Sequence, residues 1–187
     1  MARTKGMHRL GERALVDRAR DGDREAAGAL FERHWPRAWR IAFAITGNRA
    51  HADDAAQVAL IRALSALERF DSSRPFRPWL DRIATRAAID QLRRSGPVPV
   101  ENVPEWADPS VDARDGTDLA DSLMAGVMQL APDRRVVVVL RYWVDLSVEE
   151  IADVLGTPPG TVASRLSRAL AELRKRIEVP GHERHAL

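Results

Sequence analysis

The chain has no cysteine among its 187 residues. That excludes disulfides, thiolate metal sites and cysteine nucleophiles. Lysine is almost missing: Lys5 and Lys175 apart, the other 27 of the 29 basic residues are Arg. Aromatics are sparse, at five Trp, four Phe and one Tyr. No apolar run approaches the roughly 18 residues of a membrane span. The N-terminal segment is charged throughout and lacks the pattern of a signal peptide, so an intracellular (cytoplasmic) protein is expected. Period-2 alternation is absent, which argues against sheets. Enzyme signatures are absent too: no carboxylate pair beside a His or Lys base, no Gly-rich phosphate loop, no nucleophile triad. His8, His34, His51, His182 and His185 do not cluster with acids. No metal and no cofactor are expected.

What remains is an all-α pattern. With 45% hydrophobic and 30% charged residues the chain can form one or two small cores. Helices are expected near 11–20, 23–45, 49–69 and 76–94, then near 118–130, 132–144, 147–155 and 158–177. Between the two groups, residues 96–117 hold Gly96, Pro97, Pro99, Pro104, Pro109 and Gly116, the composition of a flexible linker. Two small helical domains, 10–95 and 118–178, are therefore expected. Leu60, Leu64 and Leu67 should form the inner face of the third helix, and Asp53 and Asp54 should favour its positive N-terminus. The run Val136–Val139 is β-branched, but Val136, Val139, Leu140 and Trp143 have helical spacing and Pro132-Asp133 is a start signal.

Net charge is only +2, but it is unevenly placed. Residues 74–94 carry six Arg against two Asp, a net +4. Residues 158–178 carry five basic groups against two Glu, a net +3. Residues 97–121 carry seven acids against Arg114, a net −6. Two basic patches joined by an acidic strap suit a nucleic-acid binder with two contact sites.

Residues 147–176 read as a helix-turn-helix for duplex DNA. Ser147 and Glu150 form a capping box. Gly156 supplies the positive φ that ends the first helix. Thr157 is expected to cap the second helix, with Pro158 at its first position. Val162, Leu166, Ala169 and Leu173 form one apolar stripe. Thr161, Ala163, Ser164, Ser167 and Arg168 are the positions nearest the bases, and Arg165 and the 174–176 cluster suit phosphates.

Four segments together resemble the sigma factors of bacterial RNA polymerase, of the extracytoplasmic-function class. They are Asp53-Asp54-Ala55-Ala56-Gln57; Leu67-Glu68-Arg69-Phe70-Asp71; Phe76–Ala84 with Ala88–Arg94; and the helix-turn-helix, above all Gly160-Thr161-Val162-Ala163-Ser164-Arg165-Leu166. The resemblance implies that 10–95 is a region-2 domain, which grips the clamp of core RNA polymerase and melts the −10 element. It implies that 118–178 is a region-4 domain, which binds the −35 element as duplex and rests on the polymerase flap. Asp53, Asp54, Gln57, Val58, Leu60 and Ile61 would then bind core polymerase. The family usually has an acid where Val58 stands and Phe where Leu60 stands. Phe70, Arg74, Arg77, Arg82, Thr85 and Arg86 would hold the displaced single strand of the −10 element. Family members often carry Asn at the Arg86 position and a basic residue at the Ala163 position. Trp79 is expected to lie in the core.

A helix-turn-helix regulator with an N-terminal helical sensor would share the last sixty residues. It has no use for Asp54, Gln57 or the Phe76–Arg94 segment. Because no sensor segment stands out and no accessory domain follows residue 187, control by a separate anti-sigma protein is expected.

Overall fold

The computed structural model describes residues 10–95 and 125–177, which fall in two compact units. Every regular element among the described residues is helical. The linker 96–117, its acidic charge and the expected helical segment 118–124 lie outside the described residues.

Among the described residues the first unit has four α-helices: α1 (Glu12–Arg20), α2 (Arg24–Thr46), α3 (Arg49–Ser65) and α4 (Phe76–Ser95). Asp23 caps α2 by accepting from the Glu25 and Ala26 N–H groups at 2.9 and 3.1 Å. Hydrogen bonds from Ala26 and from Arg18 hold its carboxyl below the usual range. Gly47, at φ 70, ends α2, and Asn48 at once caps α3 by accepting from His51 N–H. Asp53 and Asp54 therefore sit beyond the first turn of α3, and Asn48 meets the helix N-terminus in their place. The expected helix 49–69 also stops early. It ends at Ser65, and a 3-10 turn, Leu67–Arg69, carries the chain into the loop before α4.

α2, α3 and α4 pack through small residues. Ala52, Ala55, Ala56, Ala59 and Ala63 of α3 are all buried, as are Ala84, Ala87 and Ala88 of α4. Alanine lets helix axes approach closely at no cost in helix propensity. Phe43, Ile45, Leu60, Leu80 and Ile89 fill the remaining volume. A charge pair lies in this core. Arg37 of α2 donates from Nε to Asp81 Oδ1 at 2.8 Å and from a terminal nitrogen to Oδ2 at 2.6 Å.

The second unit holds α5 (Pro132–Tyr142), α6 (Val148–Leu155) and α7 (Pro159–Ile177), preceded by a helical stretch over 125–128. The valine run is helix, as its spacing predicts. Val136 through Leu140 are all buried, so α5 needs apolar residues on every side. The helix is shorter than 132–144. Asp145 takes a left-handed φ of 58 and turns the chain, which leaves Trp143 partly exposed at the helix end. The capping box at α6 is complete: Glu150 N–H donates to Ser147 Oγ at 3.1 Å, and Ser147 N–H donates to the Glu150 carboxylate at 2.9 Å. Gly156 has φ 64, as its place requires.

The start of α7 differs from expectation by one residue. Pro158 precedes another proline, which disfavours helical ψ, so Pro158 stays outside the helix and Pro159 takes the first helical position. The Pro158 carbonyl accepts from Thr161 and Val162 N–H groups. Thr157 does not cap. Its N–H returns to the Ala152 carbonyl, and its hydroxyl is buried without a hydrogen bond.

Candidate nucleic-acid interface

α3 presents one outward strip. Asp53, Asp54, Gln57 and Ile61 are exposed, Val58 is half-buried, and Ile61 leaves 53% of its surface open. Ile61 is the large apolar side chain of this otherwise polar row. Leu60 is a correction: at 3% exposure it belongs to the core, one helical step away from the strip. Asp53 is oriented by Trp39, whose indole N–H donates to it at 2.6 Å.

The loop before α4 is pre-shaped. Asp71 accepts from both the Ser73 N–H (3.0 Å) and the Ser73 hydroxyl (2.6 Å), which holds its carboxyl below the usual carboxylate range. Behind the loop lies a cavity of about 260 Å³, lined in part by Glu12, Arg13, Ser72, Ser73 and Arg74, with Phe70 and Phe76 as its apolar wall. Phe70 meets Phe76 edge-on at 5.5 Å and Trp79 at 4.8 Å. With 7% exposure it anchors the loop and offers no face on which a base could stack. Thr85 is likewise inside, at 1% exposure. These two residues are corrections to the expected strand-binding set. Arg74, Arg77, Arg82 and Arg86 are exposed. Arg82 and Arg86, four apart, share one face of α4.

His34 of α2 lies behind the same cavity, against Phe76. Burial, aided by the positive charges of Arg33, Arg37 and Arg77, pushes its pKa down to about 4. A Glu12 carboxylate oxygen lies 3.2 Å from Nε2, without the alignment of a hydrogen bond, and burial outweighs its charge. Nothing in the local sequence of His34 marked this.

In the second unit the apolar stripe Val162, Leu166, Ala169 and Leu173 is buried as expected. The opposite face of α7 shows Ala163, Ser167 and Arg168 exposed and Thr161 and Ser164 half-buried. Ser164 Oγ donates to the Thr161 carbonyl, which leaves its lone pairs for an incoming donor. Arg165 is elsewhere. It lies on the flank of α7 that faces α5, with Nε 3.3 Å from an Asp133 oxygen. On the same flank Glu172 pairs with Arg134 and with Arg176. Arg168, Arg174 and Lys175 are exposed.

Among the described residues no His, Asp or Glu group is arranged to hold a metal, and no helix is long and apolar enough to cross a membrane.

Comparison with known proteins agrees with this geometry in both units. Residues 30–97 match the family description Sigma-70 region 2, and residues 120–173 match Sigma-70, region 4. The chain is 29% identical to the ECF RNA polymerase sigma factor SigW of Bacillus subtilis, over 87% of this chain and 94% of that one. It is 34% identical to the RNA polymerase sigma factor CarQ of Myxococcus xanthus, over 86% and 94%. Among solved structures it is similar to CnrH in complex with the cytosolic domain of CnrY, with a TM-score of 0.54, 29% identity, and 91% of this chain and 99% of that one covered. The region-2 match spans α2 to α4, the segment that a regulator would need as its sensor. The chain belongs to the extracytoplasmic-function sigma factors of RNA polymerase, which are transcription initiation factors.

Proposed function

We propose that the two units divide promoter recognition as follows. α3 docks on the clamp of core polymerase through Asp53, Asp54, Gln57 and Ile61, with Val58 at the edge of the contact. The strip carries charge, amide and a large exposed apolar side chain in one row, while Leu60 and Leu64 of α3 are at least half-buried. The arginines of α4 and its preceding loop, Arg74, Arg77, Arg82 and Arg86, hold the displaced strand of the −10 element. Single strands are held by cationic tracks with pockets for unstacked bases. α7 enters the major groove of the −35 element and presents Ala163, Ser164, Ser167 and Arg168 to base edges, with Thr161 beside them. The flap of the polymerase supports this unit. The chain works in the cytoplasm and performs no chemistry itself, since polymerase makes the RNA.

The exposed strip on α3 is the observation that carries this reading. A helix packed on one side by an alanine-rich core has no internal need for an open isoleucine beside Gln57. The test is a titration of core polymerase with labelled full-length chain. Asp54→Ala with Gln57→Ala should weaken binding with the melting temperature unchanged. Unchanged affinity would contradict the assignment.

Control by a separate inhibitory protein fits the same surfaces. CnrH was solved together with the cytosolic domain of CnrY. An inhibitor that covers α3 and the second unit would block polymerase. Cross-links mapped on the native protein in its own cells should then join both units to one partner. Cross-links to polymerase subunits alone, across growth and stress conditions, would refute this.

A further inference from the structure

The pair between Arg165 and Asp133 does more than join two helices. We propose that Asp133 is an electrostatic brake on duplex binding: it withholds from the DNA backbone a cation that the recognition helix would otherwise offer. The inference rests on the reading of α7 as the −35 helix.

Arg165 sits in the first half of α7, three residues before Arg168, where a helix in the major groove runs closest to the duplex. Its guanidinium turns from the outward face to the α5 flank and meets Asp133 at 3.3 Å. Asp133 is the second residue of α5, so the helix N-terminus stabilises the carboxylate in this place. The side chains keep 28% and 50% of their surface, so water reaches the pair. A pair so exposed is weak, so freeing Arg165 from it shifts affinity only modestly. The remaining acid on this flank, Glu172, is taken by Arg134 and Arg176. Among the described residues Asp133 therefore decides whether Arg165 faces protein or DNA. Of the five basic residues on α7, Arg165 and Arg176 are drawn toward acids and Arg168, Arg174 and Lys175 remain for DNA.

Salt dependence reads this directly, because each phosphate contact adds about 0.9 to the slope of log affinity against log salt. The measurement is closed-complex affinity of the full chain with core polymerase on a promoter duplex, between about 50 and 200 mM salt. Asp133→Asn should tighten binding roughly two- to fivefold at low salt, the scale of an exposed pair. It should steepen the slope by about 0.9. Arg165→Ala alone should leave the slope unchanged. Asp133→Asn with Arg165→Ala should lose the gain. Asp133→Ser, whose hydroxyl suits the first helical turn, should behave like Asp133→Asn and covers the case in which the amide disturbs α5.

Three results overturn the brake. A shallower slope with Arg165→Ala alone would put Arg165 on a phosphate already. A gain that survives in the double variant would make Asp133 a simple repulsive charge. Weaker binding with an unchanged slope in both Asp133 variants would make the pair purely structural. Arg168→Ala, in the same assay, must weaken binding; if it does not, α7 is not the −35 helix and both readings fall, whereas a brake failing with Arg168→Ala effective leaves the −35 assignment standing.

Discussion

Arg37 of α2 and Asp81 of α4 meet as a fork and a carboxylate, 44 residues apart in sequence, with both oxygens engaged. Asp81 is almost fully buried. The bidentate contact fixes the rotation of α4 against α2. That rotation decides which way Arg77, Arg82 and Arg86 point. Removing Asp81 takes the buried carboxylate from the half-buried Arg37 guanidinium, which costs more than the pair itself contributes. Asp81→Ala should lower stability by about 3–5 kcal/mol, read from urea unfolding. A loss under about 1 kcal/mol would mean that water or another acid replaces Asp81.

The neutral state of His34 gives the first unit an acid limit. In the unfolded chain His34 takes up its proton near the ordinary value of 6.5, whereas in the fold it does so only near 4. The unfolded state therefore binds more protons between those values, and stability falls as pH falls through that window. The loss approaches roughly 3 kcal/mol at its acid end. His34→Gln should flatten this part of the pH profile of the melting temperature. An equally steep profile in the variant would assign the acid limit to other groups.

Melting should depend on the arginines of α4. Arg82→Ala with Arg86→Ala should leave closed-complex formation nearly normal and slow opening, and a pre-melted bubble should restore activity. Equal impairment on the bubble would move these residues to core binding or folding. Phe70→Ala is a different experiment. It empties a buried aromatic site and should cost about 3–5 kcal/mol of stability before any effect on DNA is measured.

Readout of the −35 element should rest on Arg168. Arg168→Ala should cost roughly 1–3 kcal/mol and relax preference at one or two base pairs. Uniform weakening on all sequences would make it a phosphate contact.

Local rules carried most of the fold. Ser147, Glu150 and Gly156 bound α6 within ten residues, and the helix had to lie where their chemistry put it. The helical spacing of the valine run overcame its β-branched composition because α5 is buried on all sides. Prediction slipped where neighbours compete. Asn48, rather than Asp53 and Asp54, meets the N-terminus of α3, and Pro159 outranked Pro158 at the start of α7. The site was legible as segments and blurred as side chains. A motif places Leu60, Phe70 and Thr85 on the right elements, but which side of the helix faces inward depends on partners far along the chain. The Arg37–Asp81 and Asp133–Arg165 pairs join residues 44 and 32 positions apart, beyond any local pattern.

The central claim is that this chain gives core polymerase its choice of promoter, with α3 joining the enzyme and α7 choosing the site. Runoff transcription with purified core polymerase and genomic fragments tests it most directly, with start sites mapped for the native chain and for Arg168→Ala. Discrete start sites that share an upstream duplex element and a −10 element are expected with the native chain, absent with core alone and strongly reduced with Arg168→Ala. Start sites identical to those of core alone would contradict it.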